Sequence, residues 1–259
     1  MSAKILILDI ETAPAKVFAW GTYDQNIGLS QIIEDSYMLS WSAKWLGESK
    51  IHSDCLYYHQ HTFKHNRRDE SQIAKSIWKL LDQADIIVAH NGDNFDIKWL
   101  NTVFLRTGMK PPSTFKSVDT LKVSRGNFYM ISHRLNYLCQ VLDIGHKLKH
   151  EGFELWPKCM NGDKHAWNRM MHYNKKDVIL LEELYTLVRP FIPNHPNLSM
   201  YSDGDKIICS GCGGSDFKKK GFAYTNVNKY QRYVCKNCGK NIRDRHAIKK
   251  DKKRGERAK

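Results

Sequence analysis

The sequence predicts an α/β protein, a mixed sheet with helices packed on its faces, followed by a small module built around cysteine pairs. Three observations carry this. Candidate strands near residues 4–10, 37–46 and 50–58 precede a stretch in which helical and strand patterns alternate. Two C-x-x-C pairs, Cys209/Cys212 and Cys235/Cys238, stand 22 residues apart. The charge is uneven: the 259-residue chain carries +14, yet residues 201–259 hold 17 Lys and Arg against 6 Asp and Glu.

The first three strands read as an antiparallel meander. Residues 69–83 are amphipathic, with Ile73, Ile77, Leu80 and Leu81 on one face. "DIIVAH" is a short apolar strand. In "NGDNFDIKWLNTVFLRTG", Phe95, Trp99, Val103 and Phe104 recur at helical spacing and Gly108 is a stop. A further strand is expected around 118–124, then a helix capped by Ser132 that carries Leu135, Leu138 and Leu142. A long helix is expected over 164–188. Pro190, Pro193 and Pro196 end it, so the domain reading is 1–189 for the α/β body, 190–206 for a proline-rich linker, 207–246 for the cysteine module and 247–259 for a basic tail with little to bury.

The hydrophobic content of 41% supports a real core. No apolar run approaches the roughly 18 residues of a membrane span, and Asp9 and Glu11 interrupt the early run that a signal peptide would need. A cytoplasmic protein is the default expectation. Cys55, Cys139 and Cys159 are scattered and read as small buried hydrophobes.

The stretch "KILILDIETAP" runs four aliphatic residues straight into Asp9 and Glu11. Strand side chains alternate, so these two acids point the same way from the end of a buried strand. Such charges cost several kcal/mol to bury unless something compensates, and a hard divalent cation does. The alternative is a strand that ends at the surface with its acids in water. Two more acids adjoin apolar elements: Asp96 in the first turn of a helix that follows a strand, and Asp177 at the border of the Val178, Leu181, Leu184, Val188 stripe. Tyr173 lies four residues before Asp177, on the same helical face. Four carboxylates on one sheet edge would suit two metal ions about 3.5–4 Å apart, the arrangement of a phosphodiesterase.

D-I-E, N-x-x-x-F-D and Y-x-x-x-D together resemble the DEDD exonucleases, RNase H-like 3′→5′ exonucleases that include polymerase proofreading domains. The resemblance covers roughly residues 1–190. It implies an RNase H-like sheet, with Asp9, Glu11, Asp96 and Asp177 holding two Mg²⁺ or Mn²⁺ ions and Tyr173 orienting the attacking water. Asn91 and Phe95 would line the groove for terminal nucleotides. The pattern is most similar to phage or bacterial proteins of this class with an appended zinc module; a phage-encoded chain would work in the host cytoplasm. The family divides between a Tyr four residues before the last Asp and a His five before it, and this chain has both, His172 and Tyr173. Five helical residues rotate about 140° away from the Asp face and four only about 40°, which favours Tyr173 unless the helix begins after His172. "HQHTFKH", with His59, His61 and His65 near His52, lacks a metal-site framework and reads as a solvated loop.

Cys209, Cys212, Cys235 and Cys238 have the spacing of two zinc knuckles, in which Gly213 and Gly239 permit tight turns; four thiolates close the tetrahedron, so one Zn²⁺ would be structural. The intervening segment reads as a β-hairpin. Tyr224, Tyr230 and Tyr233, with Phe222, could stack on bases while Lys218, Lys219, Lys220, Lys229 and Arg232 meet phosphates. The string resembles zinc-ribbon segments of transposases and other DNA-handling proteins; the alternative is a protein-docking ribbon. DNA is the expected partner, RNA the alternative, and a polymerase or other replication protein an open question. The functional expectation is a 3′→5′ exonuclease on DNA; the alternatives are an exoribonuclease and a non-catalytic nucleic-acid-binding or recruiting subunit.

Overall fold

The structure, a computed structural model, describes residues 2–148, 151–202 and 207–248. Residues 4–185 form one compact unit; residues from 186 onward form a second with the first three.

In the first unit the chain runs β1 (Ile5–Thr12), β2 (Lys16–Val17), β3 (Ile32–Glu34), β4 (Met38–Trp45), β5 (Ile51–Cys55), α1 (Gln60–His65), α2 (Ser71–Leu81), β6 (Ile86–Ala89), α3 (Asp96–Arg106), β7 (Lys116–Asp119), α4 (Thr120–Asn127), α5 (Leu135–Val141), α6 (Leu155–Met160) and α7 (Lys164–Val188). The main sheet has the order β5-β4-β1-β6-β7. Strand β1 pairs antiparallel with β4 and parallel with β6, so the sheet is mixed and β1 is central. The expected meander is present. A second, two-stranded sheet of β2 and β3 was too short to leave a period-2 signal.

Burial explains why β1 is nearly all aliphatic. Leu6, Leu8 and Ile10 belong to the core cluster that gathers Ile73 and Ile77 of α2 with Leu100, Val103 and Phe104 of α3. Ile5 and Ile7 are buried too but on the opposite face. Asp9 and Glu11 continue that second face. Glu182 of α7 pairs with Lys44 and accepts the Gly47 N–H at 2.7 Å, which fixes the register of α7 against β4.

Three local expectations are corrected. The strand near 118–124 stops at Asp119, whose carboxylate accepts the N–H groups of Leu121 and Lys122 and so starts α4. Ser132 caps nothing helical: its Oγ accepts the Arg134 N–H at 3.3 Å, and α5 begins one residue later. "HQHTFKH" is not a solvated loop, because Phe63 is buried edge-on to Trp167, with centroids 5.9 Å apart, and that anchor holds α1 together. Cys55, Cys139 and Cys159 are buried, as expected.

The second unit contains β8 (Phe217–Tyr224), β9 (Lys229–Cys235) and β10 (Asn241–Ala247), ordered β10-β9-β8. The expected hairpin therefore gains a third strand. The proline-rich stretch is not a free spacer over its described part: Ile192 and Leu198 are buried, the Leu198 N–H donates to Ser210 O at 3.0 Å, and Lys240 Nζ donates to Ile192 O at 2.8 Å. The basic tail begins later than expected, since Ala247 pairs with Tyr230 and the Ile248 N–H donates to Lys229 O. Residues 249–259 lie outside the described residues.

Candidate metal centres

Asp9, Glu11 and Asp177 converge. One carboxylate oxygen from each lies within 4.8 Å of the others. The register of β1 against β4 slips between Glu11 and Thr12, a bulge that ends regular pairing at the last acid. Asn174, three residues before Asp177, donates its Nδ2 to Asp9 Oδ2 at 2.6 Å, and Trp156 Nε1 donates to Glu11 Oε2 at 3.2 Å. Lys147 Nζ contacts Asp177 Oδ2 and lies 3.0 Å from the Tyr173 hydroxyl. Each of the three acids thus has one oxygen tethered by a named N–H donor.

Asp96 stands beside this trio. Its Oδ1 accepts the Ile10 N–H at 3.1 Å, tying the start of α3 to β1. The turn before it is tightly built. Asn91 adopts a left-handed φ of 69° with its N–H on Asp119 Oδ1, and a side chain on Gly92 would come within 2.4 Å of the Ala89 Cβ. Phe95 flanks Asp96 in sequence, with its ring edge towards Trp99 and about a third of its surface exposed.

Tyr173 and His172 part as the helical rotation requires, because α7 already includes both. Tyr173 faces Lys147, whereas His172 is exposed and its Nδ1 donates to Asn168 O at 2.8 Å.

Burial, then the charge of Asp177, raises Asp9 well above the usual carboxylate range and pushes Glu11 up to about 8; burial pushes Asp96 up to about 7. Burial likewise pushes the Tyr173 hydroxyl up to about 12. Packed acids that resist ionisation, all with hard oxygens, fit a divalent cation that would make their charges tolerable. A second observation agrees. The hydroxyls of Ser40 and Ser42, in register with Glu11 and Asp9, are buried without a hydrogen-bond partner among the described residues, as is Asn174 Oδ1; hydration water of such an ion would satisfy them.

Between about pH 4.5 and 8 the folded state binds more protons at Glu11 than the unfolded chain, so stability falls as pH rises. Half-buried His90, pushed down to about 4, acts oppositely but only below its unfolded value near 6.5. In magnesium-free buffer the melting temperature is therefore expected to drop from pH 6.5 to 8, by about 2 kcal/mol of stability. Added Mg²⁺ should restore more at pH 8 than at 6.5. A melting temperature that rises with pH over this window would contradict the placement of these acids.

The second cluster is Cys209, Cys212, Cys235 and Cys238, whose sulfurs also lie within 4.8 Å of one another. Cys209 and Cys238 sulfurs are 3.7 Å apart, Cys212 and Cys235 sulfurs 3.5 Å. Zn–S bonds of about 2.3 Å in a tetrahedron place sulfurs about 3.7 Å apart, so the set fits zinc. Gly213 and Gly239 have φ of 76° and 78°, closing the two knuckles. Among the described residues these are the two groups of such side chains that could hold an ion.

The aromatic and basic residues of the ribbon fall on two faces. Register places Lys219, Phe222, Tyr224, Lys229 and Tyr233 on one, and Lys218, Tyr230 and Arg232 with Arg243 on the other. Lys220 lies in the irregularity between Lys219 and Phe222. Lys229 Nζ sits 3.7 Å from the Phe222 ring centre, and Arg243 stacks over Tyr230 at 4.2 Å.

Sequence reasoning missed Lys147, Trp156 and Asn174. Asn174 had a signal, being one helical turn from Asp177. Lys147 is in an irregular segment and Trp156 on a six-residue helix, so neither had a usable period.

No helix among the described residues is long and apolar enough to cross a membrane. Over 79 residues the chain is 38% identical to a DNA polymerase III PolC-type protein of Ureaplasma parvum serovar 3; the match covers 30% of this chain but only 5% of that one. Its fold is similar to the family B DNA polymerase of the hyperthermophilic archaeon Pyrobaculum calidifontis, with a TM-score of 0.50 and 15% identity over 73% of this chain and 25% of that one. A family model, RNase_H_2 of the RNase_H superfamily, matches residues 43–189, a span that holds Asp96, Tyr173 and Asp177. That span is more than half of the chain, and on it the chain belongs to the RNase H superfamily.

Proposed function

We propose that the chain is a metal-dependent 3′→5′ exonuclease that hydrolyses terminal phosphodiesters of DNA by a two-metal mechanism, with a zinc ribbon that assists nucleic-acid binding. The observation that carries it is the convergence of Asp9, Glu11 and Asp177 beside Tyr173. Asp9, Glu11 and Asp177 would hold Mg²⁺ or Mn²⁺, with Asp96 completing the set; the ions would activate water and stabilise the leaving oxygen. Asn174, Trp156 and Lys147 act as positioning residues, each holding one oxygen of its acid. The Tyr173 hydroxyl keeps its proton at neutral pH and accepts from Lys147, which holds it beside the acids where it would orient a water. The similarity to a PolC-type polymerase and to a family B polymerase favours DNA and makes a polymerase a reasonable partner.

The test uses end-labelled single-stranded DNA, duplex DNA and RNA, each with Mg²⁺, Mn²⁺ or no divalent ion. Metal-dependent release of mononucleotides from the 3′ end of DNA is expected. Cleavage of RNA alone would replace the substrate, and no cleavage of any would leave a binding role. Within that assay Tyr173→Phe should lower single-turnover rates by about 10²-fold, and His172→Ala by less than about threefold. Equal effects would overturn the role of Tyr173.

A further inference from the structure

We propose that a cationic cavity beside the acid cluster, walled by Arg125, His133 and Arg134, binds the backbone phosphates of single-stranded nucleic acid next to the end held at Asp9, Glu11 and Asp177. The inference rests on the nuclease reading for the identity of that end, and on the following observations for the cavity itself.

The cavity has a volume of about 610 Å³, and none of its lining residues is a carboxylate. Lys147 lines it and also reaches Tyr173 and Asp177, so one side chain joins the cavity to the acids. Arg125 and Arg134 are exposed, and among the described residues neither has a carboxylate partner. Other cations of this unit do have carboxylate partners: Lys122 with Asp93, Lys44 with Glu182, Arg169 with Glu151. Two guanidinium groups held without a counter-ion over a cavity suit the fork geometry of phosphate oxygens.

The wall between the arginines is a fixed hydrogen-bonded structure. His90 donates from Nε2 to His133 O at 3.0 Å and accepts at Nδ1 from Thr120 Oγ1 at 2.9 Å. His133 Nδ1 in turn meets the buried Ser124 hydroxyl at 2.8 Å. The loop that ends at Arg134 also presents Tyr129, fully exposed, and Ile131, 91% exposed. Phosphate-binding arginines interleaved with an exposed aromatic and an apolar side chain are the composition of a single-strand track, where unpaired bases stack without regard to sequence. A cavity of this volume admits a nucleotide and not a duplex.

The experiment measures binding of a fluorescein-labelled ten-nucleotide single strand to the full chain by anisotropy, in Mg²⁺ buffer and in an Asp9→Asn background that prevents turnover. Arg125→Ala with Arg134→Ala is expected to weaken binding about tenfold or more. It should also make the plot of log affinity against log salt less steep by about 0.7 for every phosphate that is no longer neutralised. Lys50→Ala with Lys64→Ala removes the same charge from two other exposed positions and should change affinity less than about twofold. Equal weakening by the two pairs, or none by the arginine pair, would overturn the proposal, as would full competition by thymidine monophosphate at the affinity of the oligonucleotide. Should the double alanine variant fail to melt cooperatively, Arg134→Glu is read instead, with the same expected direction. Absence of cleavage by the unmodified chain would sink the nuclease reading separately, because the binding measurement does not depend on turnover.

Discussion

Asp9→Asn is expected to lower strand cleavage by on the order of 10³-fold or more and, in magnesium-free buffer, to raise the melting temperature. The two effects have one cause. Asp9 is enclosed among Glu11, Asp96 and Asp177, and burial followed by the charge of Asp177 makes its ionised form unfavourable. Asparagine keeps the shape, and its carbonyl oxygen can still accept from Asn174 Nδ2. What it removes is an ionisable group whose burial among other acids costs the metal-free fold and which the proposed reaction would need as a ligand. Metal-ion catalysis is worth several kcal/mol, at about 1.4 kcal/mol per tenfold, which sets the expected loss in rate. The gain in stability should be a few degrees, since about 1 kcal/mol moves the melting temperature of a domain this size by about 2–4 °C. The upward shift in melting temperature on adding Mn²⁺ should shrink at the same time.

Asp119 supplies the contrast that makes this result interpretable. It is buried and bonded to the turn of the second motif, and its oxygens accept the N–H groups of Asn91, Leu121, Lys122 and Asp93. Its charge is satisfied by the backbone. Asp119→Asn should therefore destabilise the protein, by about 1–3 kcal/mol, as a buried acceptor for several donors is replaced by a group that must turn one end into a donor. If Asp9→Asn destabilised the fold as Asp119→Asn does, Asp9 would be a structural acid and the metal reading would lose its energetic basis.

That difference between two enclosed aspartates marks how far the sequence could be read. Strand β1 was legible because a run of aliphatic residues buried on both faces has no other stable home, and the alternation fixed the side to which Asp9 and Glu11 turn. Helix α7 was legible over its whole length, and with it which of His172 and Tyr173 shares the face of Asp177, because rotation per residue is a property of the backbone alone. Asp96 shows the limit: its place on a helix start was clear, but its bond to the Ile10 N–H depends on how α3 docks against β1, a long-range contact with no local signature. Lys147 and Trp156 were invisible for the same reason, reaching the acids from segments whose order in space is set by packing. The helix at Gln60–His65 was misread as a loop because its stability comes from Phe63 lodged against Trp167, more than a hundred residues away.

The ribbon should fall apart when its cysteines cannot hold a metal, and the α/β unit should not notice. Strands β8 to β10 bury almost nothing: along all three, Cys235 is the one fully buried side chain among the described residues, and Cys209 lies in the first knuckle. A sheet with no apolar core has to draw its stability elsewhere, and four thiolates closed around one ion supply apparent binding energies of about 10–16 kcal/mol in modules of this size. Cys238→Ser is expected to abolish the one tightly bound zinc per chain that mass spectrometry under native conditions should detect in the unmodified protein. Trypsin should then cut rapidly at Lys218, Lys219, Lys220, Lys229 and Arg232, while residues 4–185 keep their helical circular-dichroism signal and their cleavage of a short substrate at saturation. The affinity for longer single strands should fall and become less sensitive to salt, because those basic side chains would no longer be held on two faces of one sheet. Protease resistance that survives both the substitution and a zinc chelator would mean that cross-strand contacts such as Lys229 on Phe222 and Arg243 on Tyr230 hold the sheet unaided, and the cysteines would then need another explanation.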